Sequence, residues 1–389
     1  MTFFIIFSSL LFIIYIYTGF RLIPALLKKR AGQWCWVILI LSFVSLILHL
    51  YLRVNFIYFH ISQILALIGY TSLGLVSTLF CLSFFRDLLI IPIITILKIK
   101  EFFIKSKKIS LFNPLKRNFL FKASGYSIVA LSSCTTFFGY FRALQKPKVV
   151  KIDIRLNQNH KNLKGFKIVQ FTDLHVGPTI TYDYVKQACD IISRLNADII
   201  VFTGDLADGS PRDLAHDISP LKGLDAPLGK YFVTGNHEYY SGAKKWIHQA
   251  RILGFEPFIN EHRVIKYKKG LLTLAGVTDI RAEAFFKNHR SSPKKAIQGC
   301  PEKSFKLLCA HQPTSIYSAS RAGFDLQMSG HTHGGQYFPF NYFIQMEHPF
   351  VKGLYQYQKT QLYVSQGTGY WGPPLRIGTF PEITLFEFI

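Results

Sequence analysis

The chain has 389 residues, 49% of them apolar and 15% aromatic, with 45 Lys and Arg against 22 Asp and Glu, so it is long enough for two units and too apolar to stay disordered. The excess charge is concentrated: residues 1–150 carry 17 basic and 2 acidic side chains, leaving 28 and 20 for residues 151–389. Because the long apolar runs lie in that same first third, its charge reads as loops flanking membrane spans and argues against a nucleic-acid surface.

Crossing the hydrocarbon takes about 20 mostly apolar residues. Thr2 to Phe20, Trp34 to Leu52, Ile61 to Phe85 and Phe119 to Phe141 each qualify, which predicts four transmembrane helices within a membrane domain covering residues 1–145. The first opens Met1-Thr2-Phe3-Phe4, without the basic start and small-residue cleavage site of a secretory signal, and is expected to be retained. Leu88 to Leu97 is short for a span and contains Pro92; it either extends the third helix past Arg86-Asp87 or lies in the interface. Ionisable residues are nearly absent from the spans so drawn, which reads as an anchor and not a transport path.

Arg21, Lys28, Lys29 and Arg30 follow the first span, Arg53 alone follows the second, and a basic block from Lys98 to Arg117 follows the third. Counting positive charges puts the first and third loops in the cytoplasm, and hence the N-terminus and everything after span four outside. Arg142, Lys146, Lys148 and Lys151 argue the other way. Cys35, Cys81 and Cys134 sit in apolar runs, and Cys189, Cys300 and Cys309 form no CxxC pair, so neither a disulfide framework nor a thiolate metal site is indicated.

From residue 146 to 389 the chain alternates apolar strands with polar loops, Gln145 to Val150 serving as the linker. Ile168 to Phe171 runs into Thr172-Asp173-Leu174-His175, Ile199 to Phe202 into Thr203-Gly204-Asp205, and Tyr231 to Val233 into Thr234-Gly235-Asn236-His237-Glu238. Leu307 to Ala310 runs into His311, and Leu326 to Met328 into Ser329-Gly330-His331-Thr332-His333. An amphipathic helix is predicted at Tyr182 to Leu195 between the first two strands, giving a βαβ unit, and ligand sites in such sheets collect beyond the carboxyl ends of the strands.

Asp173 and His175 are two apart, as are His331 and His333; on a strand each pair would project to one face and could serve one metal. With Asp205, Asn236 and His311 this makes a donor set of carboxylates, imidazoles and one amide. Such a set suits Mn²⁺, Fe or Zn²⁺, and so many imidazoles suit Mg²⁺ poorly. It exceeds the four ligands of a closed zinc site and fits two bridged metals, the arrangement that serves in-line displacement at phosphorus.

In this order the motifs resemble those of the calcineurin-like metallophosphoesterases over roughly residues 165–388, and the GHTHGGQ form with the tail from Ser365 to Ile383 is most similar to the branch of YkuE/YaeI-like enzymes and transmembrane proteins with a metallophosphoesterase domain. The resemblance implies a four-layer α/β/β/α sandwich and two divalent metal ions. Asp173, His175 and His333 would bind the first metal, Asn236, His311 and His331 the second, and Asp205 would bridge, with His237 as general acid. It also implies a phosphorylated substrate, and anchoring among membrane lipids makes that substrate lipid-linked, a UDP-2,3-diacylglucosamine-type pyrophosphate being one candidate. Two rival readings are a protein-binding scaffold without turnover, and an accessory domain of a membrane transport or sensor protein. Asp208 reads as turn chemistry, Asp279 has no assigned role, and Arg376 faces either the phosphate or solvent. Tyr337 to Phe343 forms either a packed strand and turn or an aromatic lip.

Overall fold

The computed structural model describes residues 2–54, 60–104 and 114–389, which fall into two units, Met1–Tyr140 and Phe141–Ile389. The first contains the helices α1 (Thr2–Leu26), α2 (Lys29–Val54) and α3 (His60–Ile104) and most of α4 (Pro114–Ala143). Lys105, Lys107 and Lys108 of the basic block lie outside the described residues.

Among the described residues, three helices are long and apolar enough to cross a membrane: Phe4–Leu26, Lys29–Arg53 and Ile61–Ile96. This corrects the expected count of four spans. The fourth stretch is helical, but Ser124, Ser127, Ser132, Ser133, Thr135 and Thr136 dilute its apolar residues, and Lys122 sits inside it. The third stretch is longer than drawn, because α3 runs unbroken through Arg86, Asp87 and Pro92. Arg86 and Asp87 therefore belong to an apolar span, where both are buried, and the expectation of nearly charge-free spans is corrected with them. Leu11, Tyr15, Leu46, Ala66, Tyr70, Leu73 and Val76 form the shared core of α1 to α3. Gly69 lets α2 and α3 approach closely: a Cβ there would lie 2.7 Å from Leu46 Cα.

The second unit has two six-stranded mixed sheets, bearing out the expected α/β metallophosphoesterase-type architecture. One has the order β1 (Lys148–Ile154), β12 (Glu382–Phe388), β2 (Lys167–Phe171), β3 (Ile199–Phe202), β4 (Lys230–Phe232), β5 (Glu256–Pro257). The other has the order β10 (Gly353–Tyr357), β11 (Thr360–Val364), β9 (Leu326–Ser329), β8 (Phe305–Cys309), β7 (Gly270–Gly276), β6 (Glu261–Tyr267). β2, β3 and β4 pair in parallel, as do β7, β8 and β9.

These central strands read as continuous apolar runs because they are covered on both faces. Ile168, Ile199 and Val201 of one sheet meet Leu274, Leu307 and Leu326 of the other in a single core. Helix α5 (Tyr182–Ser193) buries Val185, Ala188, Cys189 and Ile192 along one stripe, as its periodicity predicts. On the other side Ala319 and Phe324 pack with Ala275, Leu308 and Ala310. Gln170 ties the layers together beneath the strand ends, its Nε2 donating to Thr203 Oγ1 at 2.8 Å and to Ser329 O at 3.1 Å.

Candidate dinuclear metal centre

The loops leaving β2, β3, β4, β8 and β9 converge and bring together six of the seven residues picked out from the sequence as ligands, while the seventh, Asn236, adjoins His237, whose backbone meets Asp205. Asp173, His175 and His333 form one group that could hold a metal ion, and Asp205, His311 and His331 another. All but His331 are buried.

The local backbone differs from an extended strand. β2 ends at Phe171 and β9 at Ser329, so both D-x-H and H-x-H lie in loops. Asp173, His175, Asp205, His331 and His333 have φ of 53°, 50°, 60°, 74° and 49°, a left-handed conformation that costs a non-glycine residue about 1–3 kcal/mol. Period-two alternation therefore does not apply. The H-x-H pair splits, His331 joining Asp205 and His311 while His333 joins Asp173 and His175. Small residues make room for this crowding: a Cβ at Gly330 would lie 2.1 Å from Asp173 Oδ2, and one at Gly235 would lie 2.1 Å from Asp205 Oδ1.

Within the first group His175 Nε2 and His333 Nε2 are 3.0 Å apart, and His333 Nε2 is 3.6 Å from Asp173 Oδ1. Within the second, His311 Nε2 lies 3.1 Å from Asp205 Oδ2 and 3.2 Å from His331 Nδ1. Asp205 Oδ2 also lies 3.8 Å from His175 Nε2, so one carboxylate oxygen faces both groups.

The chemistry of these donors fits cations. His311 Nδ1 is 2.8 Å from Thr203 O, which assigns a proton to Nδ1 and turns Nε2 to the Asp205 carboxylate, where a second proton or a metal cation must stand between them; although burial opposes it, the Asp205 charge holds this imidazole well above its ordinary pKa. Acceptors converging in this way repel unless a cation stands among them. The buried Asn236 Oδ1 has no hydrogen-bond partner, an acceptor otherwise left at a cost of about 1–3 kcal/mol. Burial holds the His331 and His333 imidazoles well below their ordinary pKa, with His311 and His175 adding to the effect, so both are neutral donors. Burial would raise the Asp205 carboxyl, but the His311 and His237 rings outweigh it and hold it well below the usual range.

His237 is buried, and its backbone N–H donates to Asp205 Oδ1 at 2.9 Å. Its Nδ1 bonds the Asp208 carboxylate, while its Nε2 lies 3.9 Å from Asp205 Oδ2. Asp208 is thus part of the site, which corrects its reading as a turn residue; the signal was a second carboxylate three residues past Asp205 in the same strand-end loop. The Asp208 carboxylate also lies 3.5 Å from His175 Nδ1. Glu238 clamps the loops, accepting from the backbone N–H groups of Asp205 at 3.0 Å, Leu206 at 2.7 Å and Gly235 at 2.6 Å. Burial, together with the Asp205 charge, pushes its carboxyl up to about 7.

Three further residues take definite places. Asp279 is buried and accepts from Gln312 Nε2 at 2.9 Å, next to His311 in the chain. Arg376 faces neither phosphate nor solvent: it is buried and donates to the carbonyls of Gln366 at 2.7 Å, Gly367 at 3.1 Å and His333 at 3.3 Å. It holds the tail loop against His333. The aromatic segment forms a helix, Phe340–Glu347, in place of a strand, and exposes Tyr342, Phe343 and Met346, while Trp371 stands 5.9 Å from the His237 ring.

Residues 166–335 match the pattern of the calcineurin-like phosphoesterase family. The chain is 30% identical over 390 residues to the transmembrane protein with metallophosphoesterase domain of Danio rerio, an overlap of 97% of this chain and 86% of the relative. It is 35% identical over 267 residues to the protein of the same name from Bos taurus, covering 66% and 60% of the two chains. An uncharacterized metallophosphoesterase of Helicobacter pylori is 33% identical over 289 residues, 74% of each chain.

Proposed function

Because this chain belongs to the calcineurin-like phosphoesterase family, we propose that the strand-end cluster is a two-metal active site hydrolysing a phosphodiester or pyrophosphate bond in a lipid-linked substrate. Asp173, His175 and His333 would hold one divalent ion and Asn236, His311 and His331 the other. Asp205 would bridge them. The observation that carries this reading is the single Asp205 oxygen facing both groups, at 3.8 Å from His175 Nε2 and 3.1 Å from His311 Nε2. Metals bound there would supply Lewis-acid activation of water and charge stabilisation at phosphorus. The imidazole-rich donor set favours Mn²⁺, Fe²⁺ or Zn²⁺.

The protein's own contribution centres on His237. With Nδ1 held by Asp208, its Nε2 is the nitrogen presented toward the cluster. This is the geometry of a general acid that gives its proton to the leaving oxygen. The surrounding structure holds five left-handed residues against their conformational cost, so the donors are in place before substrate arrives.

Three apolar helices on the same chain support a substrate drawn from the bilayer. The helix Phe340–Glu347, whose Asn341 packs on the metal-loop residue Gly335, offers Tyr342, Phe343 and Met346, 60%, 61% and 85% exposed, as a surface for acyl chains. Basic residues flank α4 at both ends, with Lys98 to Arg117 before and Arg142, Lys146 and Lys148 after, which supports a cytoplasmic catalytic unit, the opposite side from the one that a four-span count gives.

Full-length protein loaded with Mn²⁺ should hydrolyse a soluble bis-aryl phosphodiester, and Asp205→Ala should not. Incubation with a total lipid extract should then consume one phosphorylated lipid. Equal turnover by the variant would remove the two-metal reading; diester turnover without consumption of any lipid would remove the lipid-linked substrate alone.

A further inference from the structure

We propose that the helical unit holds a second, non-catalytic site for a phosphate oxyanion, built on Arg86 with Arg21 and Asp87, and that a phospholipid headgroup is its ligand. Asp87 and Glu101 are the only acids in residues 1–150. Both Asp87 oxygens are used: Oδ1 accepts from Arg86 Nε at 3.0 Å, while Oδ2 accepts from the Tyr17 hydroxyl and from Arg21 Nε. Two guanidinium groups thus share one carboxylate, and the cluster keeps one uncompensated positive charge.

Arg86 carries that charge inside the bundle. Its guanidinium carbon stands 5.4 Å from the centre of the Phe121 ring, and among the described residues its buried Nη1 has no hydrogen-bond partner. Its Nε and Nη2 both lie 3.0 Å from Asp87 Oδ1, which leaves Nη1 as the unpaired donor; a phosphate oxygen would supply both the missing acceptor and the missing counter-charge. Arg21, on the other oxygen of the same carboxylate, has its side chain 33% exposed.

Depth selects the source of the phosphate. The span Ile61–Ile96 has its midpoint near Thr78, so Arg86 lies about 12 Å along the helix from the middle, just inside a hydrocarbon boundary about 15 Å out. An arginine at that depth reaches the phosphate layer by extending its side chain. Lys28, Lys29 and Arg30 follow at the same end of the bundle, since Arg21 near the end of α1 meets Asp87, and they add attraction for anionic lipid. A purely structural ion pair would need only one arginine for one aspartate.

The test uses full-length protein in detergent, with native mass spectrometry counting bound lipid. Phosphatidylglycerol, diacylglycerol with the same acyl chains, and inorganic phosphate are the three probes. The wild type should retain one phosphatidylglycerol per chain and no diacylglycerol, and Arg86→Gln should weaken retention at least tenfold while turnover of the soluble diester is unchanged. Asp87→Asn, which frees both guanidinium groups, should retain phosphatidylglycerol as well as the wild type or better. Displacement by inorganic phosphate at concentrations comparable to the lipid would keep the oxyanion site but assign it to free phosphate. Equal retention of phosphatidylglycerol and diacylglycerol by the wild type, or loss of phosphatidylglycerol in Asp87→Asn with the helices still folded, would overturn the proposal.

Discussion

The two units are organised by different physics. In Met1–Tyr140 the side chains that matter most are apolar, and their effect is nearly additive along a helix, so length and composition alone locate α1, α2 and α3. In Phe141–Ile389 the apolar residues build the sheets, but the clustered polar residues lie immediately past five strand ends, where the backbone leaves regular geometry. Tolerance should differ accordingly: substitutions in the helical unit should change stability and leave chemistry intact, whereas single atoms at the strand ends should decide turnover.

The largest contrast is expected at Asp205. Asp205→Asn keeps shape and hydrogen-bonding capacity but removes the charge facing both groups, and kcat on a soluble diester should fall more than about a thousandfold, about 4 kcal/mol in barrier. Circular dichroism should be unchanged; a tenfold loss or less would blur the distinction between units. Next comes His237→Ala, expected to lower kcat by about 10²–10⁴ while metal content stays at the wild-type level. Its deficit should shrink with better leaving groups, which need less protonation; a leaving-group-independent loss would deny it the acid role.

Asp208→Asn should cost about 10–100-fold, the scale for an outer partner that orients an imidazole. Its signature is a shifted alkaline limb in the pH–rate profile, since a general acid acts in its protonated form, and an unshifted profile would make Asp208 merely structural. The smallest effect on chemistry should come from the helical unit. Gly69→Ile would press a side chain into Leu46 and destabilise the α2–α3 packing by about 1–3 kcal/mol, seen as a lower Tm, with kcat on the soluble diester unchanged.

The same division governs how much could be read in advance. Periodicity located α5, and the continuous apolar runs located β2, β3, β8 and β9, because buried parallel strands need little but apolar bulk. The clustering residues were legible because each follows such a run. Its sorting into two groups was not legible from alternation, since left-handed φ at His331 and His333 turns two neighbours to different partners. Asp208 was hidden because the same Asp-Gly pattern describes a turn and a histidine partner equally well. Arg376 was hidden because burial of a guanidinium against carbonyls depends on a loop closing from ten residues away, as its bond to Gln366 O shows. In the helical unit the boundary of the third span was misplaced at Arg86 because charge was weighed against span formation, while the structure pairs that charge inside the bundle.

The most direct test is metal stoichiometry with anomalous scattering on the wild-type protein. Two ions about 3.5–4 Å apart, one on each side of the Asp205 carboxylate, are predicted, and Asp205→Asn should lose at least one of them. A single ion, or two ions with Asp205 touching neither, would contradict the account.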